Sequence, residues 1–324
     1  MGNEVKTKNN PPVLAVVIPC YNESQAFTYC NQEIQSIIQN LIGKKKISSK
    51  SSIIFVDDGS TDDTWNQIAA ASTESSLVQG LKLSRNRGHQ VALRAGLQYS
   101  KAEITVSIDA DLQDDTKAIE LMIDKYNEGF EIVYGVRQDR STDSFFKRNS
   151  ASLFYKTMSF LGVNQVEQHA DYRLLGRRAL NAFLAYEEKN LYIRGIIPLV
   201  GYKSTNVYYS RKERIAGESK YPLKKMFALA FDGITSLSVK PLRLISLLGF
   251  IVSVVAFIMG FIAIVQKFLG HTIDGWASVM VGLFFMGGVQ LLCIGILGEY
   301  IGKIYIEVKK RPSFFIESTT DKDQ

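Results

Sequence analysis

The chain has 324 residues, of which 46% are hydrophobic, and a formal net charge of +6. This length allows one large domain together with a further segment. The three cysteines and three histidines are scattered along the sequence, which excludes a disulfide framework or a zinc finger and argues against a metal site built from histidines. Few, unpaired cysteines are typical of a reducing cytoplasm.

The first ten residues, MGNEVKTKNN, are polar and contain no apolar segment of the kind found in a signal peptide. Residue 6 is Lys, so the myristoylation pattern also fails. We expect residues 1–11 and the extreme C-terminus to be disordered.

From residue 13 onward, apolar runs alternate with helical patterns. Five runs are predicted strands, at 13–18, 52–56, 80–84, 104–108 and 131–136. Helices are predicted over 27–41, from about Thr64, and over 89–99. This alternation predicts an α/β domain over residues 12–220, with a Rossmann-like, mainly parallel sheet covered on both faces.

Polar clusters follow three of these strands. PCYNE (19–23) follows the first, DDGSTD (57–62) the second, and DADLQ (109–113) the fourth. Ligands of open parallel sheets bind at the carboxyl ends of the strands, so we expect the three clusters to converge on one edge.

The stretch DADLQDD concentrates four aspartates, at 109, 111, 114 and 115, after one strand. Because like charges repel, a positive group is expected among them. Asp109 and Asp111, with Gln113 as a further oxygen donor, suit Mg²⁺ or Mn²⁺. An Asp-x-Asp pair alone more often marks a solvated turn, so the neighbouring clusters carry this hypothesis.

The DDGSTD cluster and a further stretch, RNRGHQ, are each open to a structural and a functional interpretation. DDGSTDDT makes a good turn and helix cap, and its carboxylates could also accept hydrogen bonds from a base or a ribose. RNRGHQ (85–90) could present helix N–H groups to a phosphate, or could be a plain loop in which Gly88 supplies backbone freedom.

Two runs without any charged residue, 244–265 and 276–297, lie near the C-terminus. Each would span roughly 33 Å as a helix, which is enough to cross a bilayer. Buried core helices are the alternative, but such helices rarely run so long without polar residues. We therefore predict a transmembrane hairpin over 241–302, followed by a C-terminal tail over 303–324.

Basic residues flank the outer ends of this hairpin, from Lys220 to Arg243 and from Lys303 to Arg311. The positive-inside tendency predicts a plasma (inner) membrane protein whose soluble domain and both termini are cytoplasmic. Residues 221–240 show apolar positions at helical spacing, which indicates a juxtamembrane amphipathic helix at the membrane interface. Packing of that helix against the soluble domain is the alternative.

The ordered motifs VVIPCYNES, IIFVDDGSTDDT, LSRNRGHQVALRAGL, SIDADLQDD, VYGVR and HADYRLL resemble those of family 2 glycosyltransferases. With the two C-terminal helices, the chain is similar to polyprenyl-phosphate glycosyltransferases. That group includes dolichol-phosphate mannose synthases and bacterial undecaprenyl-phosphate glucosyltransferases. The resemblance covers roughly residues 12–312 and rests on the ordered set, since each motif is weak alone.

The resemblance implies a GT-A fold that binds a nucleotide-diphosphate sugar with Mg²⁺ or Mn²⁺. The nucleotide-sugar residues it implies are Pro19, Tyr21, Glu23, Asp57, Asp58 and Asp109. The implied metal ligands are Asp109, Asp111 and Gln113, and the implied catalytic residues are Asp171 and Asp111. The acidic pair after DLQ departs from many relatives, but Asp114 and Asp115 lie beyond the ligand positions.

The expected reaction is an inverting transfer of a hexose, with UDP-glucose as the first choice of donor, to undecaprenyl phosphate. The product would be a lipid-linked sugar for the cell envelope. A lipid phosphate is mostly a dianion at neutral pH and needs no strong base, so Asp171 would orient groups or accept a residual proton. The cations expected to hold the acceptor phosphate are Arg137, Arg194, Arg211, Arg214 and Lys220.

Two other classes share part of these features. A processive polysaccharide synthase would carry a Gln-x-x-Arg-Trp motif and more membrane spans, whereas the only tryptophans here are Trp65 and Trp276. A catalytically dead scaffold would be expected to lose the metal ligands. The expected partners are membrane lipids and further copies of the chain, as a tetramer or dimer, and no nucleic acid is expected.

Overall fold

The computed structural model describes residues 10–137, 169–189, 192–210, 235, 238–269 and 275–321. The chain divides into two compact units. The first contains a sheet with its covering helices and includes the segment that follows residue 311. The second contains two long apolar helices. The predicted juxtamembrane helix falls almost wholly outside the described residues.

An eight-stranded sheet organises the first unit, in the order β7-β5-β6-β4-β1-β2-β3-β8. Its strands are β1 Leu14–Cys20, β2 Ser52–Asp57, β3 Val78–Leu83, β4 Ile104–Ser107, β5 Ile132–Arg137, β6 His169–Gly176, β7 Ser204–Tyr209 and β8 Ile316–Thr319. The pairs β1–β2, β2–β3, β1–β4 and β5–β7 are parallel. The sheet is mixed, with a parallel centre, as in the GT-A fold.

The central strands β1, β2 and β4 are mostly apolar because helices cover both faces of the sheet. Every residue of β1 is buried, and β2 is buried from Ile53 onward. In register, Cys20 lies beside Asp57, and Val17 lies beside Ser107. The carboxyl ends of these strands therefore meet at one edge of the sheet, where the three polar clusters were expected.

The described residues of this unit form six helices: α1 Ser24–Gly43, α2 Thr64–Glu74, α3 His89–Tyr99, α4 Ala118–Asn127, α5 Arg177–Leu184 and α6 Ile193–Leu199. The longest, α1, buries one face at the spacing of an amphipathic helix, with Phe27, Cys30, Ile34, Ile38 and Leu41 in the core. The five predicted strands and three predicted helices are confirmed, with their ends shifted by a few residues.

We predicted that the extreme C-terminus is disordered. This prediction was wrong, because the chain is ordered as far as residue 321. Residues 316–319 form β8, which pairs antiparallel with β3 and closes that edge of the sheet. Lys82 forms an ion pair with Glu317 across the pair, at 2.9 Å. The segment is short and polar, so its sequence did not resemble a buried strand, and its partner strand determines its conformation.

The second unit contains α7, Lys240–Phe268, and α8, Trp276–Val308. These helices include the two uncharged runs and extend beyond them. Both helices are long and apolar enough to cross a membrane. None of the described residues in their most apolar stretches is buried inside the protein. Large apolar side chains such as Phe257 and Phe284 are exposed, which suits a lipid environment better than water.

Gly96 allows α3 to pack closely on the central strands. A Cβ at this position would lie 2.4 Å from Cγ1 of Val17 and 2.6 Å from Cγ2 of Val56.

We predict that Gly96→Ala lowers the free energy of unfolding by about 1–3 kcal/mol through overpacking, measured as a lower Tm in detergent. Gly43→Ala is the control, because nothing lies within 4 Å of its Cβ position. A wild-type Tm for Gly96→Ala would contradict this packing.

Candidate active site

The loops after β1 and β2 are joined by hydrogen bonds between side chains and backbone. Asn22, whose φ is 54°, receives a hydrogen bond from the Thr61 N–H on its side-chain oxygen at 2.9 Å. Its own N–H donates to Oγ of Ser60 at 2.9 Å. The Asp58 N–H donates to the Cys20 carbonyl at 2.9 Å. The first two predicted clusters therefore form one continuous polar surface.

Three residues predicted to bind the nucleoside lie at the end of β1 and in the loop that follows it. Pro19 is buried in β1, whereas the Tyr21 ring is exposed on the surface and accessible for stacking. The backbone of Glu23 donates to Oγ1 of Thr64 at 2.9 Å, which ties the start of α1 to the start of α2.

Asp57 and Asp58 are both buried at the end of β2. Asp57 accepts a hydrogen bond from the Ser60 N–H at 3.2 Å on one oxygen, and its Oδ2 is buried without a hydrogen-bond partner among the described residues. Asp58 accepts the backbone N–H groups of Arg87 and Gly88, at 2.7 and 2.8 Å. Burial raises the pKa of both carboxyls, so a hydrogen-bond donor at the unused Asp57 oxygen would favour its charged form.

The DADLQ cluster forms a tight turn directly after β4. Leu112 adopts a positive φ of 45°, and the Gln113 N–H donates to Oδ1 of Asp111 at 3.3 Å. Burial, reinforced by the neighbouring carboxylate of Asp171, raises the pKa of Asp109 to about 6, although His89 opposes the shift. The turn thus places two carboxylates and an amide within one short loop.

The donor set suits a hard divalent cation. Oδ1 of Asp109 is buried and has no hydrogen-bond partner in the described part of the chain. No group of three or more His, Cys, Asp or Glu side chains in the described ranges is arranged to hold a metal ion. Two carboxylates and an amide oxygen are nevertheless sufficient where water and substrate phosphates complete the coordination, as is common for Mg²⁺. The residues therefore fit the predicted metal.

Asp171 reaches the same edge on β6, which runs antiparallel to β4. Oγ of Ser107 donates to the Asp171 carbonyl at 2.6 Å. Arg194 binds the carboxylate with Nε at 3.2 Å and Nη2 at 3.0 Å, and the buried Arg173 also pairs with it. Burial alone would raise the pKa of Asp171, but hydrogen bonding to His89 and the charges of the two arginines hold it well below its ordinary range. The carboxylate is ionised.

His89, the first residue of α3, was not predicted as a site residue. Its Nε2 lies 3.5 Å from Oδ1 of Asp109 and 3.4 Å from Oδ2 of Asp171. Burial lowers the pKa of His89, but the contact with Asp171 and the negative charges of Asp109 and Asp171 together outweigh this effect, so the net shift is upward. The imidazole thus links the two aspartates. Its position at the start of a helix after RNRG was the only sequence feature that pointed to it.

Two predicted phosphate-binding cations are already paired with carboxylates. Arg194 binds Asp171, and Arg137 binds the buried Asp114 at 2.9 Å. Oη of Tyr209 donates to the same Asp114 oxygen at 2.6 Å. Asp114 therefore orients Arg137, a role that its sequence position did not indicate. The other predicted cations, Arg211, Arg214 and Lys220, lie outside the described residues.

A model of glycosyl transferase family 2 matches residues 15–184, and a model of the GtrB C-terminal hairpin matches residues 240–304. The chain therefore belongs to glycosyl transferase family 2, as the ordered motifs indicated, and the protein is a glycosyltransferase.

Relatives match along nearly the whole chain. An uncharacterized glycosyltransferase of Bacillus subtilis, YkoT, is 50% identical, over 96% of this chain and 93% of its own length. A prophage bactoprenol glucosyl transferase homolog of Escherichia coli is 37% identical, over 94% of this chain and 98% of its own. The bactoprenol glucosyl transferase of Shigella phage SfII is 36% identical, with the same two coverages.

The pairing of Asp114 with Arg137 gives a stability prediction. Asp114→Asn should lower the stability by about 2 kcal/mol, because it leaves a partly buried guanidinium without its counter-charge. The measurement is thermal unfolding in detergent. Asp115→Asn is the matched control. Among the described residues, the Asp115 carboxylate accepts a hydrogen bond only from the nearby Lys117 N–H, at 3.2 Å. Equal losses in the two variants would contradict the assigned role of Asp114.

Proposed function

We propose that the protein transfers glucose from UDP-glucose to undecaprenyl phosphate, with Mg²⁺ or Mn²⁺ and with inversion at the anomeric carbon. The observation that carries this proposal is the meeting of Asp109 and Asp171 around His89, at the same sheet edge as the DDGS loop. The names of the relatives support the sugar and the lipid, since two of them are called bactoprenol glucosyl transferases or homologs of these.

The nucleoside would lie across the loops after β1 and β2. The exposed Tyr21 ring offers a stacking surface, and the buried, unused Oδ2 of Asp57 offers an acceptor for a base N–H or a ribose hydroxyl. Pro19 and Glu23 would shape the same pocket wall, and Asp58 would act through the loop that it holds. On this proposal, the protein recognises the nucleoside mainly through hydrogen-bond acceptors of its own.

The diphosphate would lie near the DADLQ turn. Asp109, Asp111 and Gln113 would hold the cation, which when bound neutralises charge on the leaving diphosphate as a Lewis acid. The pKa of Asp109, raised to about 6, supports this assignment because a bound cation would stabilise the ionised form.

Asp171 would orient reacting groups and would not serve as a strong base. Its pKa is held well below its ordinary range, so it accepts protons poorly at neutral pH. This suits a phosphate acceptor, whose second pKa of about 6 leaves it mostly as a dianion. A single displacement of UDP from an α-linked sugar donor by an oxygen of the acceptor phosphate would give a β-linked product.

The acceptor would approach from the membrane. Arg137, Arg194, Arg211, Arg214 and Lys220 are the proposed cations for its phosphate, and Arg194 would exchange part of its contact with Asp171 for that phosphate. The apolar α7 and α8 would anchor the chain in the membrane, with the catalytic domain on the cytoplasmic side, where the flanking basic residues favour it. We further propose a dimer or tetramer, formed through these helices.

A transfer assay tests this function. Purified protein, undecaprenyl phosphate and Mn²⁺ or Mg²⁺ are incubated with a panel of radiolabelled UDP- and GDP-sugars. We expect label to enter the organic phase from UDP-glucose alone, and removal of the metal by EDTA to abolish the transfer. Asp111→Ala and Asp171→Asn should each lose at least about a hundredfold in rate.

Asp63→Asn is the matched control, because Asp63 is the exposed N-cap residue of α2 and is not among the residues proposed to bind the metal or the nucleotide sugar. It should keep the wild-type rate. Transfer from a different donor would correct the sugar. No transfer from any donor, with nucleotide binding intact, would contradict the proposed reaction and favour the scaffold interpretation.

A further inference from the structure

The segment 313–321, which we name the C-terminal strap, includes β8 and runs along β3 and the loop that follows β3. The Ser84 N–H donates to the Phe315 carbonyl at 3.0 Å, at the point where β3 ends. Three residues further along the chain, Nε of Arg87 donates to the Ser313 carbonyl at 2.5 Å. The strap therefore contacts the loop 85–88 as well as the sheet.

The loop 85–88 in turn holds a proposed donor-site carboxylate. The backbone N–H groups of Arg87 and Gly88 bind one oxygen each of Asp58. The loop also packs tightly on the DDGS turn, since a Cβ on Gly59 would lie 2.6 Å from backbone atoms of Arg85 and Asn86. A shift of this loop would move the Asp58 carboxylate and the turn together.

The far end of the strap has its own attachments. The Thr320 N–H donates to the Gly80 carbonyl at 3.0 Å, and the Gly80 N–H donates back to Oγ1 of Thr320 at 2.7 Å. Oη of Tyr99 donates to the carboxylate of Asp321. These contacts, with the β3–β8 ladder, fix the strap without the help of Arg87. The Arg87 side chain therefore acts on the loop, and the strap serves as its fixed support.

We propose that Arg87 is a positioning residue for the donor site, which anchors the loop 85–88 to the C-terminal strap and so keeps two backbone N–H groups on Asp58. The proposal rests on the proposed function of this edge as the nucleotide-sugar site. It assigns a role in donor binding to a segment that follows the second apolar helix, α8, in the chain. Arg87 itself touches Ser313 and supports the site through backbone atoms.

The test compares the full-length wild type in detergent with the variant Arg87→Met. Methionine keeps an unbranched side chain but lacks the N–H group that binds the Ser313 carbonyl. UDP affinity is measured by calorimetry in the presence of Mn²⁺, and hydrogen–deuterium exchange is followed in peptides that cover 85–88 and 78–83. We expect the UDP Kd to rise roughly tenfold, as for loss of one charge-assisted hydrogen bond. Exchange should accelerate in 85–88, while β3 stays protected.

Two further variants isolate the effect. Glu317→Gln removes the ion pair of the strap with Lys82 but leaves the Arg87 contact, so it should keep the UDP Kd within about twofold of wild type. Arg87→Lys retains a cationic donor and should recover most of the affinity that Arg87→Met loses. If Arg87→Met does not fold, Arg87→Gln replaces it, because its side chain is shorter and uncharged.

Unchanged exchange and unchanged UDP affinity in a folded Arg87→Met protein would overturn the proposal. Equal losses in Glu317→Gln would also overturn it, since the strap as a whole would then be responsible. A wild-type protein that binds no nucleotide would contradict the proposed function instead. The exchange data on 85–88 would still decide whether Arg87 holds the loop.

Discussion

Compensation of charge among crowded carboxylates is the constraint on which this sheet edge depends. Asp109, Asp111, Asp114 and Asp171 come from two strand ends, and carboxylates that are this crowded cannot all remain ionised without positive partners. Asp171 receives two arginines and His89, and Asp114 receives Arg137 and a tyrosine hydroxyl. Burial, reinforced by the neighbouring carboxylates, raises the pKa of Asp109 to about 6, although His89 opposes the shift. This carboxylate lies where the proposed cation would bind.

The mixed topology of the sheet produces this arrangement. Parallel β1, β2 and β4 deliver their polar loops to one edge, as in other open α/β sheets. The antiparallel β6 then enters beside β4 with Arg173 in register with Ser107, so Asp171 reaches the same edge from the opposite chain direction. Helix α3 begins there with His89, and α6 supplies Arg194. The apolar hairpin belongs to the other unit and, on our proposal, brings the chain to its lipid substrate.

The parallel core could be predicted from the sequence because each of its strands is a continuous apolar run that ends in a polar loop. The family followed from the order of the motifs, whereas Asp171 was assigned by resemblance alone. The partners of that carboxylate were not predictable, since Arg194 reaches it from α6 through long-range packing and no local signature shows that Arg173, two residues further along β6, pairs with it. His89 was missed because its neighbours depend on long-range packing. Strand β8 was missed because a short polar segment has no strand preference until β3 offers it a partner.

Metal-dependent nucleotide binding tests the central claim most directly. UDP is titrated by calorimetry into the full-length wild type and into Asp111→Ala, each with Mn²⁺ and with EDTA. If the carboxylates after β4 hold a cation against the diphosphate, Mn²⁺ should tighten UDP binding at least about tenfold in the wild type. The gain should be absent in Asp111→Ala, while metal-free binding to the loops after β1 and β2 remains. UDP affinity that is the same with and without metal in the wild type would contradict the account.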